Sequence, residues 1–372
     1  MRKCHIAYLA CTAALVGAGL GAAPAAAGQA SPRLDTTYVV SPGQSIQKAV
    51  DAAQPGDTVL VLAGTYHESV TIGTPGLTLR GVGPETVIKP GAKKKTKKKK
   101  TATTTAAKSA DSCAEGGNGI CVIGTKAANV RGVTVANLTV TGFSRTGVFG
   151  MATDSMTVRG VYAVKNGVWG IAQERSVGGF IGNNHARDNG DAGVFLANTI
   201  KEEAGAYDAG QTLVEGNRIE GNRIGVTVRR LRDLTVAGNY ISGNCAGVFV
   251  VGDENKPKAG DLAVAANRIV RNNKSCPATE RLPALQGSGI VLTGTERTRV
   301  TGNLVTGNTG ASPLSGGIVL FKSFVGVTSN DNRVDRNMLR NNTPADLVNT
   351  DPGKGNAFDR NTCRASRPAG LC

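Results

Sequence analysis

Three groups of residues in this chain carry chemistry. The first is the run KKKTKKKK, which sets Lys93, Lys94, Lys95, Lys97, Lys98, Lys99 and Lys100 side by side. Such a lysine cluster draws anionic polymers or anionic surfaces by charge. The second group recurs in Gly-Val-Phe triplets that end at Phe149, Phe195 and Phe249. Charged residues follow near the next turns: Glu174, Arg175, Arg229, Arg230, Asp253, Glu254, Glu296, Arg297 and Lys322. Rings of this kind stack on sugar faces, Arg and Lys meet carboxylates, and gathered acids hold calcium through oxygen. The third group is cysteine.

The eight cysteines are read through the N-terminus. Arg2 and Lys3 precede an apolar run over residues 6–20, and Ala25-Ala26-Ala27 offers a cleavage site. This pattern predicts an export signal over residues 1–27, and the mature chain outside the cell. Loss of Arg2 and Lys3 lowers the net charge from +16 to +14. It also removes Cys4 and Cys11 and leaves Cys113, Cys121, Cys245, Cys276, Cys363 and Cys372. An even number in an exported chain favours disulfides. Pairing of neighbours, Cys113 with Cys121 and Cys363 with Cys372, is the simplest arrangement; a Cys245–Cys276 pair stays open. No C-x-x-C is present, and His67 and His185 are the only histidines beyond the signal, so no zinc or copper site is expected. Both histidines read as turn residues. No later stretch has the length and apolarity of a membrane span.

What must position these groups is a repeat. An Asn recurs at Asn184, Asn217, Asn239, Asn267, Asn303 and Asn337. Val161 fills the equivalent place, and Asn137 and Asn361 are the expected end members. The shortest steps are 23 residues from Val161, 22 from Asn217 and 24 from Asn337. A second column runs through Asn166, Asn189, Asn222, Asn244, Asn272, Asn308 and Asn342. With 50 Gly and only 4% aromatics, the chain is rich in turns and short strands. A period near 22 with β-branched runs fits one coil of a parallel β-solenoid, stacked at about 4.8 Å per coil. Asn has both donor and acceptor, so each column predicts a ladder along the axis. Ser45 caps a helix with Ile46, Ala49, Val50 and Ala53 at helical spacing, ended by Pro55, which closes the solenoid's first coil.

Alternate strand residues point outward. The column after the repeated Gly then holds Phe149, Ala172, Phe195, Thr227, Phe249, Val291 and Val319, an apolar face. Three roles are open to it: a saccharide groove, a seat for the inserts at 199–211, 252–261, 274–288 and 309–315, or an interface between copies of the chain. Mixed charges at the turns also serve simply as a solvated rim.

The segment PGDTVLVLAGTYHESVTI and the N-x-I-x-x-N-x-x-G-I/V repeats resemble the right-handed parallel β-helix proteins of the pectin-lyase-like superfamily. The resemblance implies an all-β, right-handed parallel β-helix of eleven or twelve coils with a short N-terminal capping helix. The expected plan is a signal at 1–27, cap and first coils at 28–92, a basic disordered loop at 93–120, coils at 121–362 and a tied tail at 363–372. The family's catalytic motifs are incomplete here. Asn349-Thr350-Asp351 stands at the wrong end for the hydrolase branch, whose other motifs are missing. Arg281-Leu282-Pro283-Ala284-Leu285-Gln286 has Gln where the lyase pattern ends in Arg, and Asp351-Pro352-Gly353 lacks the epimerase His.

Two readings of function follow. One is a non-catalytic exported protein that binds anionic cell-wall or extracellular polysaccharide. The other is a divergent lyase, hydrolase or epimerase acting at the charged rim, with calcium if lyase-like. A weaker resemblance is to β-helix proteins that mature copper enzymes, which scarce His and Met oppose. The lysine run has no interleaved aromatics, which excludes nucleic acid as its expected partner.

Overall fold

A computed structural model describes residues 34–91, 113–125, 127–199, 203–280 and 282–372. Short strands in parallel pairing build three long sheets, and the chain passes from the first to the second to the third in each coil. The first sheet's path has twelve strands in chain order, from Thr37–Val40 to Ala357–Asp359. That matches a solenoid of about the expected number of coils. All pairings between named strands are parallel and join neighbouring coils.

Stacking puts like residues on like. The inward column Val148, Ile171, Val194, Val226, Val248, Ile290 and Ile318 of the third sheet is fully buried. It belongs to one continuous core shared by the three sheets. The one helix among the described residues, Ile46–Ala52, packs Ile46 and Val50 over the first coil. Ser45 accepts from the Lys48 N–H, and the Glu68 carboxylate accepts from Ile46 and Gln47. The N-terminal donors of the helix are therefore satisfied by the coil it covers.

The asparagine columns form the ladders that the spacing predicts. Asn184 Nδ2 donates to Asn217 Oδ1 at 2.9 Å, and the series continues through Asn239, Asn267, Asn303 and Asn337 to Asn361. The second runs from Asn166 to Asn342 and ends on Asp346, whose Oδ1 accepts from Asn342 Nδ2 at 2.8 Å. Asp346 is a fitting last rung because its other oxygen takes the Arg364 N–H. The position before each ladder residue is left-handed, with φ of 54° at Asn183, 64° at Gly216 and 62° at Gly238. Gly-Asn recurs because Gly enters that region without strain and Asn fills the next site.

One expected rung is displaced. Asn137 lies at the left-handed position, with φ of 54°, in register with Gly160 and Asn183. The ladder site of its coil is Leu138, fully buried as Val161 is. Asn tolerates the left-handed turn as well as the ladder, so sequence spacing alone misplaced it by one residue.

Three disulfides are present: Cys113–Cys121, Cys245–Cys276 and Cys363–Cys372. The first staples a turn to the strand Ile120–Ile123; the third ties the tail. No helix among the described residues is long and apolar enough to cross a membrane.

Candidate functional site

The third sheet carries the expected outward column in one register: Phe149, Ala172, Phe195, Thr227, Phe249, Val291, Val319. Its two halves differ. From Phe249 onward the column is covered by the chain itself. Residues 274–280 and 282–288 fold back as a hairpin held by Cys276–Leu285 backbone bonds and the Cys245–Cys276 disulfide. Leu285 and Leu314 then pack with Phe249, Val291 and Val319, all buried.

Before Phe249 the face opens into a cleft of about 960 Å³. Its lining includes Trp169, Phe195, Thr227, Phe249 and Val251. Thr279, Glu280 and Leu282 of the hairpin form part of one wall, and Ser323, Phe324 and Val325 part of another. Of the sequence-predicted residues, Phe195, Phe249, Arg229, Arg230, Asp253 and Glu254 all line it. Phe149 is half-buried and packs beside Trp169 and Phe195. Glu296 and Arg297 instead join Arg232 and Asp261 toward the first sheet, at 2.9 Å for Arg232–Glu296 and 2.7 Å for Arg297–Asp261. Lys93, Lys94, Lys95, Lys97, Lys98, Lys99 and Lys100 lie outside the described residues, as does Arg281.

The buried charges are paired. Arg230 meets Asp253 and, at 2.8 Å, Glu203. Arg223 donates to the Pro277 carbonyl at 2.7 Å, so it braces the hairpin as well as lining the cleft. Asp191 accepts from the Trp169 indole N–H at 3.0 Å. Burial pushes its carboxyl above the usual range, against the pull of that hydrogen bond and of Arg223. A carboxyl so placed in a cleft is a functional candidate on physical grounds.

The rings are used unequally. Trp169 stacks on Phe195 at 4.3 Å, and the Arg145 guanidinium lies 5.4 Å from its centroid. Trp169, Phe195 and Phe249 are thus packed rather than presented. Phe324 is 61% exposed at the cleft, 5.1 Å from Phe321. Sequence reading passed over Asp191, Trp169, Arg223, Glu203 and Phe324. The lone Trp, one coil before a GDAG turn, was the available signal for the first two.

A family model, "right handed beta helix region", matches residues 107–261 and 204–371. The chain belongs to that right-handed β-helix family. No curated protein matches it. Among solved structures it is similar to a mannuronan C-5 epimerase A-module of Azotobacter vinelandii, at 17% identity and TM-score 0.56, over 88% of this chain and 95% of that one. A DFA-IIIase mutant of Arthrobacter chlorophenolicus is similar at 13% identity and TM-score 0.57, over 87% and 84%. The Dettilon tailspike protein is similar at 12% and 0.52, over 86% and 66%. At these identities the likeness is one of fold. Among the described residues no three His, Cys, Asp or Glu side chains gather to hold a metal.

Proposed function

We propose that this β-helix protein binds a polysaccharide in the cleft of its third sheet, without catalysis, outside the cell. The observation that carries the reading is the cleft itself, which joins apolar residues such as Trp169, Phe195 and Phe249 to an exposed ring at Phe324 and polar groups at Asp191, Arg223 and Glu280. That combination suits a sugar, which offers an apolar ring face and hydroxyls around it. The β-helix neighbours include proteins named for carbohydrate chemistry, which fits a polysaccharide partner. The net charge of +16 favours an anionic polymer. The lysine run supplies seven of those positive charges.

The test is a panel of uronate, pectin and neutral wall polymers, with and without calcium. Affinity is measured by calorimetry, and turnover by ultraviolet absorbance and reducing-end release. Binding without product, weakened by Phe324→Ala, supports the reading. Product from any polymer overturns its non-catalytic part. Equal affinity in the wild type and Phe324→Ala removes the cleft.

A further inference from the structure

A second surface, on the opposite side of the asparagine turns, has a chemistry of its own. The outward column of the second sheet runs Tyr162, His185, Arg218, Tyr240, Arg268 through five consecutive coils in register. No acid stands in it. Arg218 and Arg268 lie on Tyr240, with guanidinium carbons 5.2 and 5.7 Å from the ring centroid. His185 meets the edge of Tyr162 at 5.6 Å. In the parallel column, Glu220 is the acid that faces these groups. It holds Arg218 at 2.7 Å and His185 at 3.2 Å. Arg187, which pairs with Asp188 at 3.3 Å, stands in register with Glu220 and adds a flanking cation. Tyr162 is 38% exposed and the Arg218 side chain 60% exposed.

We propose that this face is a second binding surface, a track on which an anionic polysaccharide lies along the solenoid axis. Arg218 and Arg268 stand two coils apart, at twice the coil advance of ~4.8 Å. A linked pyranose advances by a similar length, so acidic sugars in series can meet successive coils. The Tyr240 ring holds both guanidiniums in place, which lowers the freedom they lose on binding. Nucleic acid fits less well. Base stacking needs open ring faces, and those of Tyr240 are already taken by Arg218 and Arg268.

The track is separate from the cleft and is tested separately. In the full chain, the double variant R218Q/R268E is compared with R80Q/R159E, which removes equal charge from exposed positions on the first sheet. Affinities for polygalacturonate and heparin are measured over a salt series. The track predicts a loss of about tenfold or more for R218Q/R268E, as for charge-assisted hydrogen bonds, and little change for R80Q/R159E. Equal losses in the two variants would overturn it, as would no glycan binding by the wild type. Tighter binding of single-stranded oligothymidylate than of either glycan would also overturn it. Phe324→Ala reports on the cleft alone, so either surface can fail without the other.

Discussion

The second and third sheets are cut from the same coils and carry opposite surfaces. Both bury an aliphatic inward column, and both have aromatic residues facing out. On the third sheet Phe249 is roofed, 2% exposed beneath the hairpin that carries Cys276 and Leu285. On the second sheet Tyr162 stays open, and Tyr240 is capped only by its own neighbours' guanidiniums. The cause is where loops can leave. The second sheet is flanked by ladder residues on both sides, one immediately before each short strand and one two positions after it, as Asn184 and Asn189 flank His185–Arg187. Among the described residues, the inserts named above leave on either side of the third-sheet strands, after Asn272 and Asn308 before them and after Ala197 and Val251 beyond them, so they border the third sheet. Turn chemistry thereby decides which face becomes a walled cleft and which remains a bare track.

The comparison breaks first at its shared part. Asn239→Ala would remove the acceptor of the Asn217 N–H and amide, and the donor to Val214, Ala237 and Asn267. Each buried group left unpaired costs about 1–3 kcal/mol, so a loss of at least ~3 kcal/mol is expected. A clear fall in the urea midpoint checks it. An unchanged midpoint would mean the ladder fills space rather than holds coils. Next is the roof. Replacing Cys245 and Cys276 by Ser opens a loop with 31 residues of separation. Chain entropy sets the loss at about 2–4 kcal/mol. Dye binding should rise as Phe249 and Val291 are uncovered, while anionic-glycan binding by the second-sheet track stays. Absence of the rise would show that Arg223 and Leu285 hold the hairpin without the bond.

The architecture was open to reading because its signals repeat. A period near 22, two Asn columns and alternate apolar residues each give the same answer many times over, and the register confirms the outward column residue by residue. Asn137 shows the limit, since an Asn suits both the left-handed turn and the ladder site beside it. The cleft was only half legible. Arg229, Arg230, Asp253 and Glu254 follow from the strand ends, and the structure brings them to one place. Asp191 and Arg223 stand in regular turns, just before the strands Ala192–Ala197 and Ile224–Arg229, but they line a cleft only because chain from outside the repeat walls them in, as Phe324 does from the loop after Gly316–Leu320. The Cys245–Cys276 pair is of the same kind: its partners are near only because the hairpin folds back.

Asp191 sharpens the contrast between a packed position and a working one. Burial raises its folded carboxyl above the unfolded value. Its contribution to stability is therefore full at pH below the unfolded value and is lost as pH rises through the folded one. Asp191→Asn keeps an acceptor for Trp169 and removes the buried charge. The variant should be at least as stable as wild type at neutral pH, yet bind polysaccharide about tenfold more weakly, as expected for losing a charged hydrogen bond. Thermal melts at neutral and acid pH, with calorimetry on the polymer found in the panel, read both quantities. A variant that binds normally would return Asp191 to packing.

The smallest expected effect lies on the other face, at Glu220. Burial pushes its carboxyl up, but the hydrogen bond and charge of Arg218, with help from Ser242 and His185, outweigh this and hold it below the usual range. A lowered acid contributes stability above its unfolded value and loses it as pH falls through the folded one. Glu220→Gln should thus destabilise slightly at neutral pH and not at all in strong acid. Exposure of Arg218 keeps the effect small, because solvent and salt screen the pair. Binding should move the other way. Glu220 is the acid that engages the track's Arg218 and His185, so its removal frees them for a polymer carboxylate, and polygalacturonate affinity should rise at low salt. Stability lost without affinity gained would make the Tyr–Arg column a structural clasp on the second sheet, as closed in its own way as the roofed half of the third.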